Sequence, residues 1–165
     1  MSKVLIAYFT KTGTTKSYAE ELAAALSTAG HQVDVKQLAD IGSLDGYGAA
    51  VIGAPINGMQ LVPEVVNVIN EHRATLRTIK TAVFAVSYMY GQARPLWSRV
   101  MEKSIAKAAT LAGASSWHVF SGRVSGPLPG PMSFIFGVPK DLPLDRRDPQ
   151  AIRIWAKELA ATFRD

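Results

Sequence analysis

Five short runs rich in β-branched and aromatic residues, Lys3–Phe9, Val33–Lys36, Ala49–Gly53, Thr81–Ser87 and Trp117–Ser121, recur along the chain with helical patterns between most of them. That alternation is the strongest constraint on the fold, because strands separated by helices close as βαβ units of a parallel sheet. Ala19, Leu22, Ala23 and Leu26 give the first helix one apolar face, and Gly30 supplies the usual left-handed stop. Pro63 opens a second helix that presents Val65, Val66 and Ile69. A third runs from about Pro95 to Ala112, with Trp97, Val100, Met101, Ile105, Ala108 and Leu111 inward and Gly113 at its end. The last has Asp148 as cap, Pro149 in its first turn and Ile152, Trp155, Leu159 and Phe163 on one stripe. The pattern predicts an α/β chain of five strands and four helices, and 165 residues suit one domain over residues 1–165.

Composition removes whole classes of chemistry. No cysteine is present, which excludes disulfide scaffolds, thiolate zinc sites, thiol nucleophiles and cysteine-ligated clusters, so redox chemistry would need a borrowed cofactor. His31, His72 and His118 are far apart and show no metal-ligand spacing. Met1–Phe9 carries one lysine and a short apolar run, too short for a signal or membrane segment, and reads as a buried first strand of a cytoplasmic protein. With 18 Lys+Arg against 13 Asp+Glu the chain favours anionic partners. The cations are scattered and do not interleave with aromatics, which argues against nucleic acid.

Strand one delivers the chain into Thr10–Lys11–Thr12–Gly13–Thr14–Thr15, and a helix begins directly after. Four hydroxyls in six positions converge with backbone N–H groups at the positive end of a helix, an arrangement that suits a phosphate. Gly13 removes the Cβ that would hold a ligand off the backbone. The same residues could instead merely cap a helix after a glycine turn. Neither G-x-G-x-x-G nor G-x-x-x-x-G-K-[ST] occurs, which argues against a dinucleotide enzyme and a P-loop nucleotidase.

The stretch Tyr8–Thr15, followed by Ala19 and Leu22, resembles the FMN-phosphate signature of the flavodoxin family, departing from it at Ala7, where a larger apolar residue is usual. The resemblance covers essentially the whole chain. It implies a doubly wound five-stranded parallel sheet, order 2-1-3-4-5, with FMN at the switch point between strands one and three. In that topology the loops after strands three and four enclose the flavin ring. The first is Gly53–Met59, with Pro55, Ile56, Asn57 and Gly58 near the ring; the second is Ser87–Gln92, with Ser87, Met89, Gly91 and either Tyr88 or Tyr90 as the stacking residue.

Two functional expectations follow from resemblance. Electron-carrying flavodoxins are typically acidic, whereas this chain is basic. The chain also resembles the flavodoxin-like protoporphyrinogen dehydrogenases, through Phe120–Ser121–Gly122–Arg123–Val124, a long loop before the final helix, and the basic balance. That likeness implies an FMN-dependent oxidoreductase passing electrons from a reduced organic substrate, such as protoporphyrinogen IX, through flavin N5 to a quinone-type acceptor. In those proteins the loop is basic and aromatic; here Gly122–Asp148 holds five of nine prolines and four glycines around an apolar patch, Met132–Phe136. The patch could cover the cofactor, touch a quinone or membrane surface, or join a homodimer. Arg123, at the end of the fifth strand, is the candidate for a substrate carboxylate. The alternatives are a flavodoxin-type electron-transfer protein and a flavodoxin-fold binding or regulatory module without flavin.

Overall fold

The structure, a computed structural model, describes residues 2–165. Its elements run β1 (Lys3–Tyr8), α1 (Thr14–Thr28), β2 (Gln32–Gln37), β3 (Ala49–Asn57), β4 (Gln60–Leu61), α2 (Pro63–Leu76), β5 (Lys80–Ser87), α3 (Pro95–Ala112), β6 (Ser116–Ser121), α4 (Gly130–Phe136) and α5 (Pro149–Arg164). Five strands are parallel in the order β2-β1-β3-β5-β6, the order expected from the resemblance once the short β4 is set aside.

Helices cover both faces, because the inner strands are apolar on both sides. Leu5, Ala7, Ile52, Val83 and Ala85 face α2 and α3, while Val4, Ile6, Val51, Phe84 and Phe120 face α1 and α5. Alternate residues of one strand thus feed two separate cores. On the second face α5 buries Ile152, Trp155, Leu159 and Phe163, the stripe predicted for it. Burial of each such side chain contributes roughly 1.5–3 kcal/mol. Asp148 caps this helix, its side chain accepting the N–H groups of Gln150 and Ala151 at 3.1 Å. The Tyr18 hydroxyl accepts the Asp148 N–H at 2.8 Å and donates to the Ser121 carbonyl at 2.5 Å, tying α1, β6 and α5 together. Burial pushes the Tyr18 phenol up from its ordinary value, so it remains a donor.

Two sequence expectations are corrected. The chain after Gly53 is not a loop: β3 continues to Asn57 and turns back through Gly58 and Met59, both at positive φ, into the antiparallel β4. Pro55 is tolerated in that strand for a local reason. The Gly53 carbonyl faces β1 and accepts the Phe9 N–H, so the Pro55 nitrogen, two residues on, faces the same side after β1 has ended. The second correction concerns residues 122–148, which are not wholly irregular. The patch Met132–Phe136 forms most of α4, a seven-residue helix closed by Gly137 at φ 68°.

Candidate functional site

The switch point lies where the chain leaves β1 toward α1 on one face and β3 toward α2 on the other. Here Thr10–Thr15 makes a tight turn: Thr10 Oγ1 accepts the Gly13 N–H at 2.9 Å, Gly13 takes φ 87°, and α1 starts at Thr14. No side chain caps α1, in contrast to α5, and no acidic residue lies in its first turn. The N–H groups of that turn are therefore left for another acceptor. Thr14 and Thr15 are buried, and the Thr12 and Thr14 hydroxyls lie 3.4 Å apart.

A cleft of about 340 Å³ opens beside this turn. Thr10, Lys11, Thr12, Thr14 and Thr15 form one wall; Pro55, Ile56 and Asn57 of β3 form a second; Ser87 and Tyr88 at the end of β5, with Arg123, form the rest. Val86, Gly122 and Val124 also line it, and the sequence reading did not select them. At Gly122 a Cβ would stand 3.1 Å from Val86 Cγ1 and 3.3 Å from the Tyr88 nitrogen, a close approach of two strand ends that only the tertiary structure reveals. Among the described lining residues are two cations, Lys11 and Arg123, and no carboxylate.

Other expected site residues stand elsewhere. Gly58 belongs to the β3–β4 turn, and Met89, Tyr90 and Gly91 do not line the cleft. Tyr90 packs against the α2–α3 core and donates its hydroxyl to Glu102 at 2.6 Å; burial, then that bond, pushes its pKa up to about 12. Gly53 lies beneath the Phe84 ring, where a Cβ would come within 2.1 Å of Cζ, so its small size serves the core rather than a ligand. Gly13 shapes the turn without lining the cleft.

Residues 122–148 fold back over this end of the sheet as a strap. Val124 N–H donates to the Leu144 carbonyl at 2.9 Å and Arg146 N–H to the Gly122 carbonyl at 3.1 Å, about an Arg123–Asp145 bridge. Arg146 Nη1 donates to the Tyr88 carbonyl at 2.6 Å, with the guanidinium 5.8 Å from the ring centroid. Tyr88 in turn donates its hydroxyl to the Pro143 carbonyl at 2.8 Å. Tyr88 is thus clamped at both ends, with one face of its environment left to the cleft. Arg147 grips Asp145 with bonds of 2.6–3.2 Å, which holds the carboxyl down to about 2. α4 hangs from α3: Arg94 N–H donates to Phe136, Arg94 Nη2 to Phe134 and Trp97 Nε1 to Ile135, all at backbone carbonyls. Phe134 remains 77% exposed and Ile135 53%, while Ser133 is buried and Phe136 packs edge-on against Trp97, so the patch folds only in part onto its own domain.

Two larger grooves run beside α1. One of about 450 Å³ is crossed by the Arg147–Asp145 pair, and one of about 470 Å³ separates α1 from α5; neither gathers strand ends. His31 is buried with Nε2 3.1 Å from the Ala160 carbonyl, and His118 lies tilted against the Phe120 ring. Among the described residues no three His, Cys, Asp or Glu cluster as metal ligands.

A family model described as flavodoxin domain matches residues 5–128. Among solved structures, the chain is similar to a flavodoxin from the domain Archaea, at 15% identity over 99% of both chains and a TM-score of 0.64. It is similar to a short-chain flavodoxin associated with a non-canonical PDU bacterial microcompartment, at 16% identity over 99% of both chains and a TM-score of 0.67. It also resembles rubredoxin oxygen:oxidoreductase of Desulfovibrio gigas at 16% identity and a TM-score of 0.67, covering 99% of this chain and 36% of that one. At such identities the likeness speaks for the fold. No curated protein matches the chain.

Proposed function

This chain belongs to the flavodoxin domain family, and on that premise we propose that it is an FMN-binding redox protein that relays electrons between partners. FMN is the cofactor of that family. The observation that carries the reading is the start of α1: uncapped, led by a left-handed Gly13, ringed by hydroxyls, and opening on a cleft with two cations and no carboxylate among its described lining. A phosphate dianion fits that chemistry, and a neutral group would leave the helix N–H groups underused.

When bound, FMN supplies the electron chemistry and the protein supplies position, electrostatics and access. The residues divide that labour as follows. Thr10, Lys11, Thr12, Thr14 and Thr15, on the turn that Gly13 sets, would hold the phosphate. Pro55, Ile56 and Asn57 on β3, with Ser87 on β5, would border the ring. Tyr88, fixed by Arg146 and Pro143, would stack on it, while Tyr90 is committed to Glu102. Strap residues that clamp Tyr88 shield the ring from water on that side. Titration of the purified protein with FMN, followed by fluorescence quenching, tests this. Thr12→Glu, which sets a carboxylate on the exposed side of the turn before α1, should weaken FMN at least a hundredfold while the fold persists by circular dichroism; unchanged affinity refutes the site.

A second reading keeps the cofactor and makes the protein an enzyme for a reduced organic substrate such as protoporphyrinogen IX, with a quinone acceptor. The observation favouring it is the apolar α4 beside the 88–94 segment, flanked by Arg94, which would suit an apolar, anionic molecule or a lipid surface bearing the quinone. A second copy of the chain could cover the same patch. No helix among the described residues is long and apolar enough to cross a membrane. Turnover with quinone and protoporphyrinogen alone would establish this reading; turnover only with partner proteins leaves the relay.

A further inference from the structure

We infer that Arg123 is a phosphate-binding residue supplied by the strap, which latches the strap onto the phosphate loop when a phosphomonoester ligand binds. This inference rests on the FMN reading and goes beyond it, because it assigns to a residue outside Thr10–Thr15 both the discrimination for phosphate and the ordering of the strap.

Arg123 follows β6 by two residues, yet its guanidinium reaches back over the turn between β1 and α1. Nη2 stands 3.3 Å from the Thr12 carbonyl, and 3.9 Å from where a Cβ on Gly13 would lie. That carbonyl is its sole hydrogen-bond acceptor among the described residues, and the bond is long for a charged donor. Its bridge partner across the strap, Asp145, is taken by Arg147 in bonds of 2.6–3.2 Å. Among the described residues Arg123 forms no ion pair. A planar fork with most of its donors unused, held beside an uncapped helix start and lining the same cleft, is matched to the oxygens of a phosphate. The backbone then carries the consequence. Arg123 lies between Gly122 and Val124, whose bonds to Arg146 and Leu144 hold the returning limb of the strap, and Arg146 holds Tyr88. A phosphate on the loop therefore anchors the strap and the clamped tyrosine together.

The test compares FMN with riboflavin, which has the same ring and no phosphate, by fluorescence titration of wild type, Arg123→Gln and Arg123→Lys. The inference expects Arg123→Gln to weaken FMN tenfold to a hundredfold, roughly the loss of one charge-assisted hydrogen-bonded pair, and riboflavin less than twofold. Arg123→Lys should recover part of the loss, and the salt dependence of FMN binding should be shallower in Arg123→Gln. FMN should slow tryptic cleavage at Lys140, Arg146 and Arg147 in wild type, and much less in Arg123→Gln. Equal weakening of both ligands would overturn the inference, since Arg123 would then act on the ring side. Unchanged FMN affinity in Arg123→Gln would overturn it too, and would leave the FMN reading intact. Wild-type protein that binds neither ligand refutes the FMN reading and this inference together. Thermal melts of all three proteins exclude misfolding as the cause of a loss.

Discussion

At the scale of single residues, glycine and charge separate structural from functional duties. Gly53 stands on β3 two residues before the cleft-lining Pro55, and the Phe84 ring occupies the space above it. Gly53→Ala should cost about 1–3 kcal/mol in denaturant unfolding through overpacking, and Phe84→Leu in the same chain should recover part of that. A ligand role would instead show as lost affinity with stability unchanged. Asp145 makes a pH prediction. Its carboxyl is held at about 2 by Arg147, below the unfolded value of about 4. A depressed carboxylate contributes stability above the unfolded value and loses it as pH falls toward the folded one. Unfolding followed between pH ~4 and ~2 should therefore be less acid-sensitive in Asp145→Asn than in wild type. The pair is exposed, so the difference is small. An identical pH slope in the two proteins would show that the pair contributes nothing.

At the scale of elements, the two long helices at the site end differ in how they start, and the proposed site uses that difference. α5 is satisfied by Asp148, and Asp148→Ala should lower stability by about 1 kcal/mol without touching flavin affinity. α1 is left without a cap, and an added carboxylate at its start should weaken ligand binding, as stated for Thr12→Glu. Comparing the two variants in one assay separates capping from binding. α4 illustrates a different dependence. Its bonds to Arg94 and Trp97 come from α3, so a seven-residue segment rich in Pro and Gly neighbours becomes helical through contacts that lie far away in sequence. Periodicity cannot register such support, which is why the segment reads as loop.

At the scale of the molecule, the balance of 18 cations to 13 carboxylates sets how partners approach. An acidic redox partner should accept electrons more slowly as ionic strength rises, and a basic one faster, measured by stopped-flow between low and high salt. Equal salt response with both would remove steering from the account. The sequence by itself determined the α/β class, most of the helix faces, the strand alternation and the tight turn before α1. Each of these is written in local periodicity, in a cap, or in the residues of one short loop such as Thr10–Thr15. Tertiary structure alone decided the rest. It carried β3 through Pro55, because β1 ends beside it; it sent Tyr90 to Glu102 and left Tyr88 in the cleft; and it brought Arg123 to Thr12 from 111 positions away. Those outcomes depend on which strand ends meet and which donors lack partners, and such pairings exist only once the sheet has closed.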